Sequence, residues 1–339
     1  RNVVPVEISV NESPSWINKL GVGFGKEDKF RAFIEFRKNS FWGSPRRLIA
    51  TLKYSALEPY NLNIRWIRPS FLYPRASITL NPFLRREKEP GFIIDRVGTN
   101  ITYQQQLATY TDGYISYALE QDNLDISEAT RLQGLGGQKI SIYHKSSVTV
   151  GLARDSSHPP FSPTTGQYSA GSVTYSGLGF QNDFRFLRAQ LEGRFYHKMS
   201  DWLVAAGRIK VGAMKTVQGS AFSPIEERFY AGGSYSIRGW GRSQLGPKSS
   251  IGVPIGGNSV VETNLEMRFP VWKTLAGVLF VDIGNVWPNI TFRTADLHYA
   301  GGAGVRFQTP IGPLRFDIAR PLFETHLPFQ FHVSIGQAF

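Results

Sequence analysis

The feature that most constrains this chain is a period of two in hydrophobicity, repeated in segment after segment. Phe30, Ala32, Ile34 and Phe36 alternate with Lys29, Arg31, Glu35 and Arg37. Leu187, Ala189, Leu191 and Phe195 alternate with Arg188, Gln190, Glu192 and Arg194. Val261, Leu265, Met267 and Phe269 alternate with Glu262, Asn264, Glu266 and Arg268. Phe329, Phe331, Val333 and Ile335 alternate with Gln330, His332, Ser334 and Gly336. Successive side chains of a strand point to opposite faces, so each segment has one apolar and one polar face. A helix would scatter the same residues around its cylinder.

Clusters of Gly, Pro, Asn and Asp mark turns and divide the chain into sixteen expected strands. They lie near 17–24, 29–38, 46–55, 60–69, 75–86, 92–106, 110–120 and 138–152. The second half follows near 166–178, 184–197, 201–214, 257–269, 274–285, 296–308, 313–320 and 328–338. Turns such as Pro270–Lys273 and Thr309–Gly312 are short, whereas Gln121–Gly137, Lys215–Gly256 and Val286–Ala295 are long. Short links on one rim, long links on the other and an even strand number define an outer-membrane barrel. Arg154–Thr165 is long where a short turn is expected. A soluble sandwich shares the period, but sixteen strands are many for one, and no propeller-like repeat is visible. The expected fold is therefore all-β: a 16-stranded antiparallel transmembrane β-barrel over residues 17–339. Trp42, Trp66, Tyr73, Trp202, Trp272, Trp287 and Phe339 lie near strand ends and are expected to form interfacial belts.

Composition removes other classes. The 339 residues contain no Cys, which excludes a disulfide scaffold and thiolate metal sites. No stretch approaches the ~18 unbroken apolar residues of a transmembrane helix. The chain begins at Arg1 without a basic-then-apolar leader, so a processed protein or a fragment is expected. Lys and Arg exceed Asp and Glu by 12 charges, but the basic residues sit singly between apolar ones rather than in nucleic-acid-binding runs. On the lumenal face they mix with Glu35, Glu120, Glu192, Glu262, Glu266, Asp282 and Asp317, which favours an ion-paired interior over an anion pore. His-Glu-x-x-His and Gly-x-Ser-x-Gly are absent, and the six histidines lack metal-ligand spacing. Gly21-Val-Gly23-Phe-Gly25-Lys26 leads into another strand, not the helix a phosphate loop needs. No enzyme activity, metal or cofactor is expected.

Lys215–Gly256 is about forty residues, far beyond an ordinary connection. It carries Glu227-Arg228-Phe229-Tyr230-Ala231-Gly232-Gly233 and, four residues later, Ile237-Arg238-Gly239-Trp240. A loop this apolar is expected to fold back into the barrel. Arg238 then needs inward carboxylates, because an unpaired buried charge is costly. Glu266 and Asp282 are inward on the next two strands, and one guanidinium fork can serve both.

These residues resemble the Omp85 superfamily of outer-membrane assembly and translocation proteins. Ile237-Arg238-Gly239-Trp240 resembles its loop-six motif and falls between strands eleven and twelve, as in the family. Leu265-Glu266 and Phe280-Val281-Asp282-Ile283-Gly284 resemble the wall that receives the arginine. Asp155, Pro160 or Pro163, and Gly166 resemble the family's turn before strand nine. Thr309–Asp317 resembles the start of strand fifteen, and Phe331–Phe339 the closing strand. Gly246-Pro247 and the start of strand fifteen are somewhat more similar to the TamA branch of the family than to the BamA branch. Val4–Val10 resembles the last strand of a periplasmic POTRA domain, so residues 1–16 are expected to be its tail and linker, with further POTRA domains upstream.

The resemblance implies insertion and assembly of other proteins at the outer membrane of a Gram-negative-type bacterium, an organelle membrane being the lesser alternative. The first and last strands meet at the one seam of such a barrel. Val22 and Phe24 on one side, and Ile335, Gly336 and Phe339 on the other, are the expected lateral-gate residues. An open seam offers unpaired backbone groups to a client strand. The implied partners are nascent outer-membrane barrels or autotransporters, membrane lipid and accessory periplasmic or lipoprotein subunits; no nucleic acid is implied. A two-partner-type secretion pore is the alternative function, followed by a passive porin.

Overall fold

The computed structural model of the protein describes residues 14–134, 141–179, 182–217, 222–309, 313–324, 326–335 and 338–339. The POTRA-like strand expected at Val4–Val10, and Gly336, lie outside the described residues. One sheet of sixteen strands follows chain order. Its first wall is β1 (Trp16–Gly25), β2 (Lys29–Lys38), β3 (Arg47–Tyr54) and β4 (Tyr60–Pro69). Then come β5 (Ala76–Glu89), β6 (Phe92–Ala108), β7 (Thr111–Asp125) and β8 (Ile142–Asp155). β9 (Gly166–Ser176), β10 (Phe186–Ser200), β11 (Leu203–Thr216) and β12 (Ser259–Trp272) continue the wall. β13 (Leu275–Trp287), β14 (His298–Phe307), β15 (Leu314–Pro321) and β16 (Gln330–Ile335) complete it.

Antiparallel ladders join every consecutive pair, from β1–β2 to β15–β16. Lipid offers no hydrogen bonds, so a spanning sheet must satisfy its backbone this way. Register keeps like faces together. Leu20 stands opposite Ile34, Ile34 opposite Leu52, and Leu52 opposite Leu62. All four are exposed on the outer face. On a water-soluble surface so large an apolar face would be an interaction or aggregation site; on a barrel it is the lipid contact. The interior is correspondingly polar, with Arg96, Glu262, Asp282, Arg306 and Arg315 buried.

Strand ends deviate for local reasons. β12 continues past Pro270, with the β12–β13 register shifting between Pro270 and Trp272. Proline cannot donate to the ladder, so it is accommodated at such an irregularity. The link from Ser156 to Thr165 is the long exception of its rim. A bridge between His158 and Thr165 closes it, and the Pro163 carbonyl accepts from Arg268 Nη1 at 3.4 Å. The aromatic belt differs from expectation. Trp42, Tyr73, Trp202 and Trp272 are exposed near the links of one rim. Trp287 and Phe339 are buried instead. Trp287 is covered by its following link, with Phe292 edge-on at 5.9 Å and Nε1 donating to Asp296 at 3.2 Å. No helix among the described residues is long and apolar enough to cross a membrane.

The seam is the exception to the ladder rule. Among the described residues no ladder joins β1 to β16. One bond, from the Lys26 amide to the Val333 carbonyl at 3.3 Å, links the β1–β2 turn to β16. β1 has ten residues and β16 six, so among the described residues most of the β1 edge has no strand beside it.

Candidate functional site: an arginine-latched loop and the seam

The link between β11 and β12 enters the lumen. Its apolar residues Phe229, Ala231, Ile237, Trp240 and Leu245 pack with Ile94, Tyr143, Val260, Val286 and Ala300 in one buried cluster. Burial of these side chains outweighs the entropy of ordering so long a segment only if its polar groups are also satisfied. Arg238 is the test of that condition. It is fully buried.

Its partners come from three strands. Nε and Nη2 bind Asp282 on β13 at 2.8 and 2.7 Å, a bidentate fork. Nη1 donates to Glu266 on β12 at 2.6 Å and to Asp317 on β15 at 3.4 Å. The Arg238 backbone amide donates to Asp282 at 2.9 Å. The guanidinium carbon lies 3.3 Å from the centre of the Phe280 ring. Burial alone would favour neutral arginine, but Asp282 and Glu266 outweigh it and raise the pKa further above its ordinary value. Arg268 and Arg306 occupy the outer sides of these carboxylates: Arg268 pairs with Glu266 at 2.8 Å, and Arg306 with Asp317. Charges of opposite sign thus alternate through the network.

Two glycines make the fit possible. A Cβ on Gly239 would stand 2.6 Å from Ala300 Cβ and 3.1 Å from the Pro321 nitrogen, so the loop could not lie against β14 and β15. A Cβ on Gly302 would stand 2.3 Å from the Phe280 ring beneath the arginine. Ile237 is fully buried beside them, and Trp240 packs edge-on to His298 at 5.5 Å.

The loop has further attachments that the sequence pattern does not reveal. At its base, Lys145 on β8 binds Glu226 at 2.9 Å, Glu227 at 2.8 Å and Asp122 at 2.9 Å. Burial raises the Glu227 carboxyl, but Lys145 and Arg96 outweigh this and hold it well below the usual carboxylate range. At its tip, Glu27 in the β1–β2 turn accepts from the Ser234 amide at 2.7 Å and from Arg242 at 3.3 Å. Arg242 also forks onto Glu89 at 2.6 and 2.9 Å. From β16, His332 Nε2 donates to the Arg238 carbonyl at 2.9 Å. The loop therefore touches both edges of the seam.

Of the residues expected in the site, Arg238, Glu266 and Asp282 lie together, with Ile237, Gly239 and Trp240 packed around them. Val22 and Phe24 face outward on β1, and Ile335 ends β16 opposite Leu314. Phe339 is not on the closing strand. It lies in the lumen, stacked on Tyr196 of β10 at 6.4 Å, where a second ring and a guanidinium replace lipid as its apolar contact. Asp317 had a legible signal, its inward parity. Glu226 and Glu227 had a weaker one, two adjacent acids in an apolar stretch.

A sixteen-stranded barrel with an unzipped seam and an arginine-latched lumenal loop is an outer-membrane barrel of a specific kind. A model of the Omp85 superfamily domain matches residues 40–339, and the chain belongs to that superfamily. It is 30% identical over 288 residues to the outer membrane protein assembly factor BamA of Nitratidesulfovibrio vulgaris, covering 80% of this chain and 36% of that protein. The chain thus spans less than half the length of the two curated BamA relatives that it matches over most of its own length. The solved BamA of Haemophilus ducreyi, lacking POTRA domains 1–3, superposes with a TM-score of 0.84 at 19% identity, covering 96% of this chain and 70% of that one. CdiB from Acinetobacter baumannii is less similar, with a TM-score of 0.58 at 14% identity over 95% of this chain and 59% of that one. The protein is an integral barrel of the outer membrane of the Gram-negative bacterial type.

Proposed function

We propose that this barrel inserts and assembles other β-barrel proteins in the outer membrane, and that the β1–β16 seam is its lateral gate. The observation that carries this reading is the seam itself: fifteen ladders and then, among the described residues, a single bond. Among the described residues no ladder pairs the seam edge of β1, which leaves backbone donors and acceptors along Trp16–Gly25 for a partner strand. A client strand would satisfy them by β-augmentation, in register with the outward row of Leu20, Val22 and Phe24. A short closing strand also thins the wall locally, which lowers the cost of passing a strand into lipid. The relatives named as outer membrane protein assembly factors support the client class, nascent outer-membrane barrels. In this reading residues 1–16 are the tail of a periplasmic POTRA domain and its linker, Arg238 braces the lumen opposite the gate, and accessory subunits join from the periplasm.

A photoreactive residue at Val22 tests the gate in cells making outer-membrane proteins. The expected adducts join Val22 to the terminal strands of other barrels. Adducts to a secreted, non-barrel partner from lumenal positions, with none from Val22, would replace the gate by a secretion pore. That alternative is disfavoured by a loop that crosses the lumen from Lys145 to Asp282.

A further inference from the structure

The rim opposite the β11–β12 loop is the periplasmic one in an outer-membrane barrel, and its charge is uneven. The stretches 36–50 and 66–78 carry the β2–β3 and β4–β5 links. They hold Arg37, Lys38, Arg46, Arg47, Arg68 and Arg75, and no Asp or Glu. Arg37 is taken up by Glu35 at 3.0 Å. Elsewhere on this rim the charge is dispersed: Lys198 pairs with Asp201 at 2.7 Å, and Arg154 and Lys273 stand far apart, one on β8 and one in the β12–β13 turn.

Lys38, Arg46 and Arg68 face outward. One cross-strand row runs Trp16, Lys38, Leu48, Trp66, Leu80, in phase with the exposed outer residues Leu20, Ile34 and Leu62. Carried one residue past the pair Arg47 and Ile67, the β3–β4 ladder sets Arg46 opposite Arg68 on that same face. Like charges directly opposite repel. An anion between them turns the repulsion into two charge-assisted bonds. Each cation also lies over a ring. Lys38 Nζ is 4.7 Å from the centre of Trp16, and the Arg46 and Arg68 guanidinium carbons are 5.9 and 5.4 Å from Trp66 and Phe71. Such stacking carries the stem on apolar surface and leaves the charged head at the depth of the lipid headgroups. The two links add apolar residues. Trp42 is 77% and Leu72 74% exposed, with φ of 55° and 65°, a region that bulky residues rarely adopt. At such exposure no burial within the chain offsets that cost, whereas insertion into the bilayer interface does.

We propose that the periplasmic rim of β2–β5 is a binding site for anionic phospholipid of the inner leaflet. Arg46 and Arg68 bridge the lipid phosphate, Lys38 and Arg75 flank it, and Trp42 and Leu72 lie among the glycerol and acyl groups. A zwitterionic lipid brings its own ammonium to the same place, so the site discriminates by net headgroup charge. Lipid fits this face better than an acidic protein does, because the cations continue the outward rows that already meet the bilayer. The site stands on the membrane orientation of the barrel and is independent of the lateral-gate reading.

Native mass spectrometry of the protein released from nanodiscs of equal phosphatidylglycerol and phosphatidylcholine reads the preference. Phosphatidylglycerol should be retained over phosphatidylcholine by about threefold or more. Arg46→Gln with Arg68→Gln should bring the ratio to about one. Arg154→Gln with Lys273→Gln removes as many cations from elsewhere on the rim and should leave the ratio unchanged. Raising the salt in the nanodisc buffer needs no variant to fold, and should lower the ratio of the unaltered protein. Equal retention of the two lipids by the unaltered protein, a ratio insensitive to salt, or equal losses in the two double variants would each overturn the proposal. A photoreactive residue at Trp42 in isolated outer membranes separates lipid from protein. Phospholipid adducts are expected; adducts to a periplasmic protein without lipid would assign this face to that partner and overturn the lipid site.

Discussion

The β12–β15 wall and the β1–β4 wall are built from the same alternation but end in different physical states. On the first, the side chains of Glu266, Asp282, Arg306, Arg315 and Asp317 are dry. On the second, Lys19, Arg31 and Arg65 keep 52%, 38% and 42% of their side-chain surface in solvent. The difference is what lies against each wall. The β11–β12 loop covers the first and, among the described residues, meets the second at the Glu27 turn. A dry ionic wall is expensive to disturb because any unpaired charge has nowhere to go. A wet one tolerates change, since water replaces each lost partner. The rigid wall is thus the one that holds the loop, and the yielding wall is the one that ends at the seam.

Arg238→Ala should break this contrast most. It leaves Glu266, Asp282 and Asp317 buried without their shared cation, at a cost of about 3–5 kcal/mol. The expected result is a loop newly open to protease and a lower denaturant midpoint for barrel unfolding, read by gel mobility. Wild-type protection would mean that the packing of Ile237 and Trp240, with the attachments at Lys145 and Glu27, holds the loop without the arginine. Lys145→Ala should act in the same direction but less, about 2–3 kcal/mol, because Arg96 remains 3.5 Å from Glu227. Protease cleavage should then appear near Glu226 before it appears near Arg238; simultaneous cleavage would show one cooperative unit rather than two attachments. Arg31→Ala on the wet wall should change stability by no more than about 0.5 kcal/mol, although Arg31 pairs with Asp28 at 3.0 Å. A midpoint shift as large as that of Lys145→Ala would erase the distinction between the walls.

How much was legible varies with the kind of contact. Strand positions were readable to within a few residues because lipid on one face and polar lumen on the other enforce strict alternation. Arg238 and its carboxylates Glu266 and Asp282 were readable from motif resemblance together with parity. Asp317 was readable as inward but not as a third ligand, since parity says nothing about which inward groups converge. Lys145 with Glu226 and Glu227 joins residues 81 and 82 positions apart across the lumen, and no local pattern marks such a pair. Trp287 and Phe339 were misassigned to the lipid belt because proximity to a strand end does not say what covers the ring.

The sequence by itself determined the strand number, the handing of each side chain to lipid or lumen, and the loop that had to fold inward. Those follow from short-range periodicity and from the cost of exposing polar backbone to lipid or apolar loops to water. Tertiary structure alone decided which lumenal wall is dry, which carboxylates share Arg238, and that Phe339 leaves the closing strand for Tyr196. Those outcomes depend on the tertiary fold, which brings groups far apart in the chain to within a few ångströms. Only there can burial, charge pairing and ring stacking be weighed against the ladder bonds that the seam forgoes.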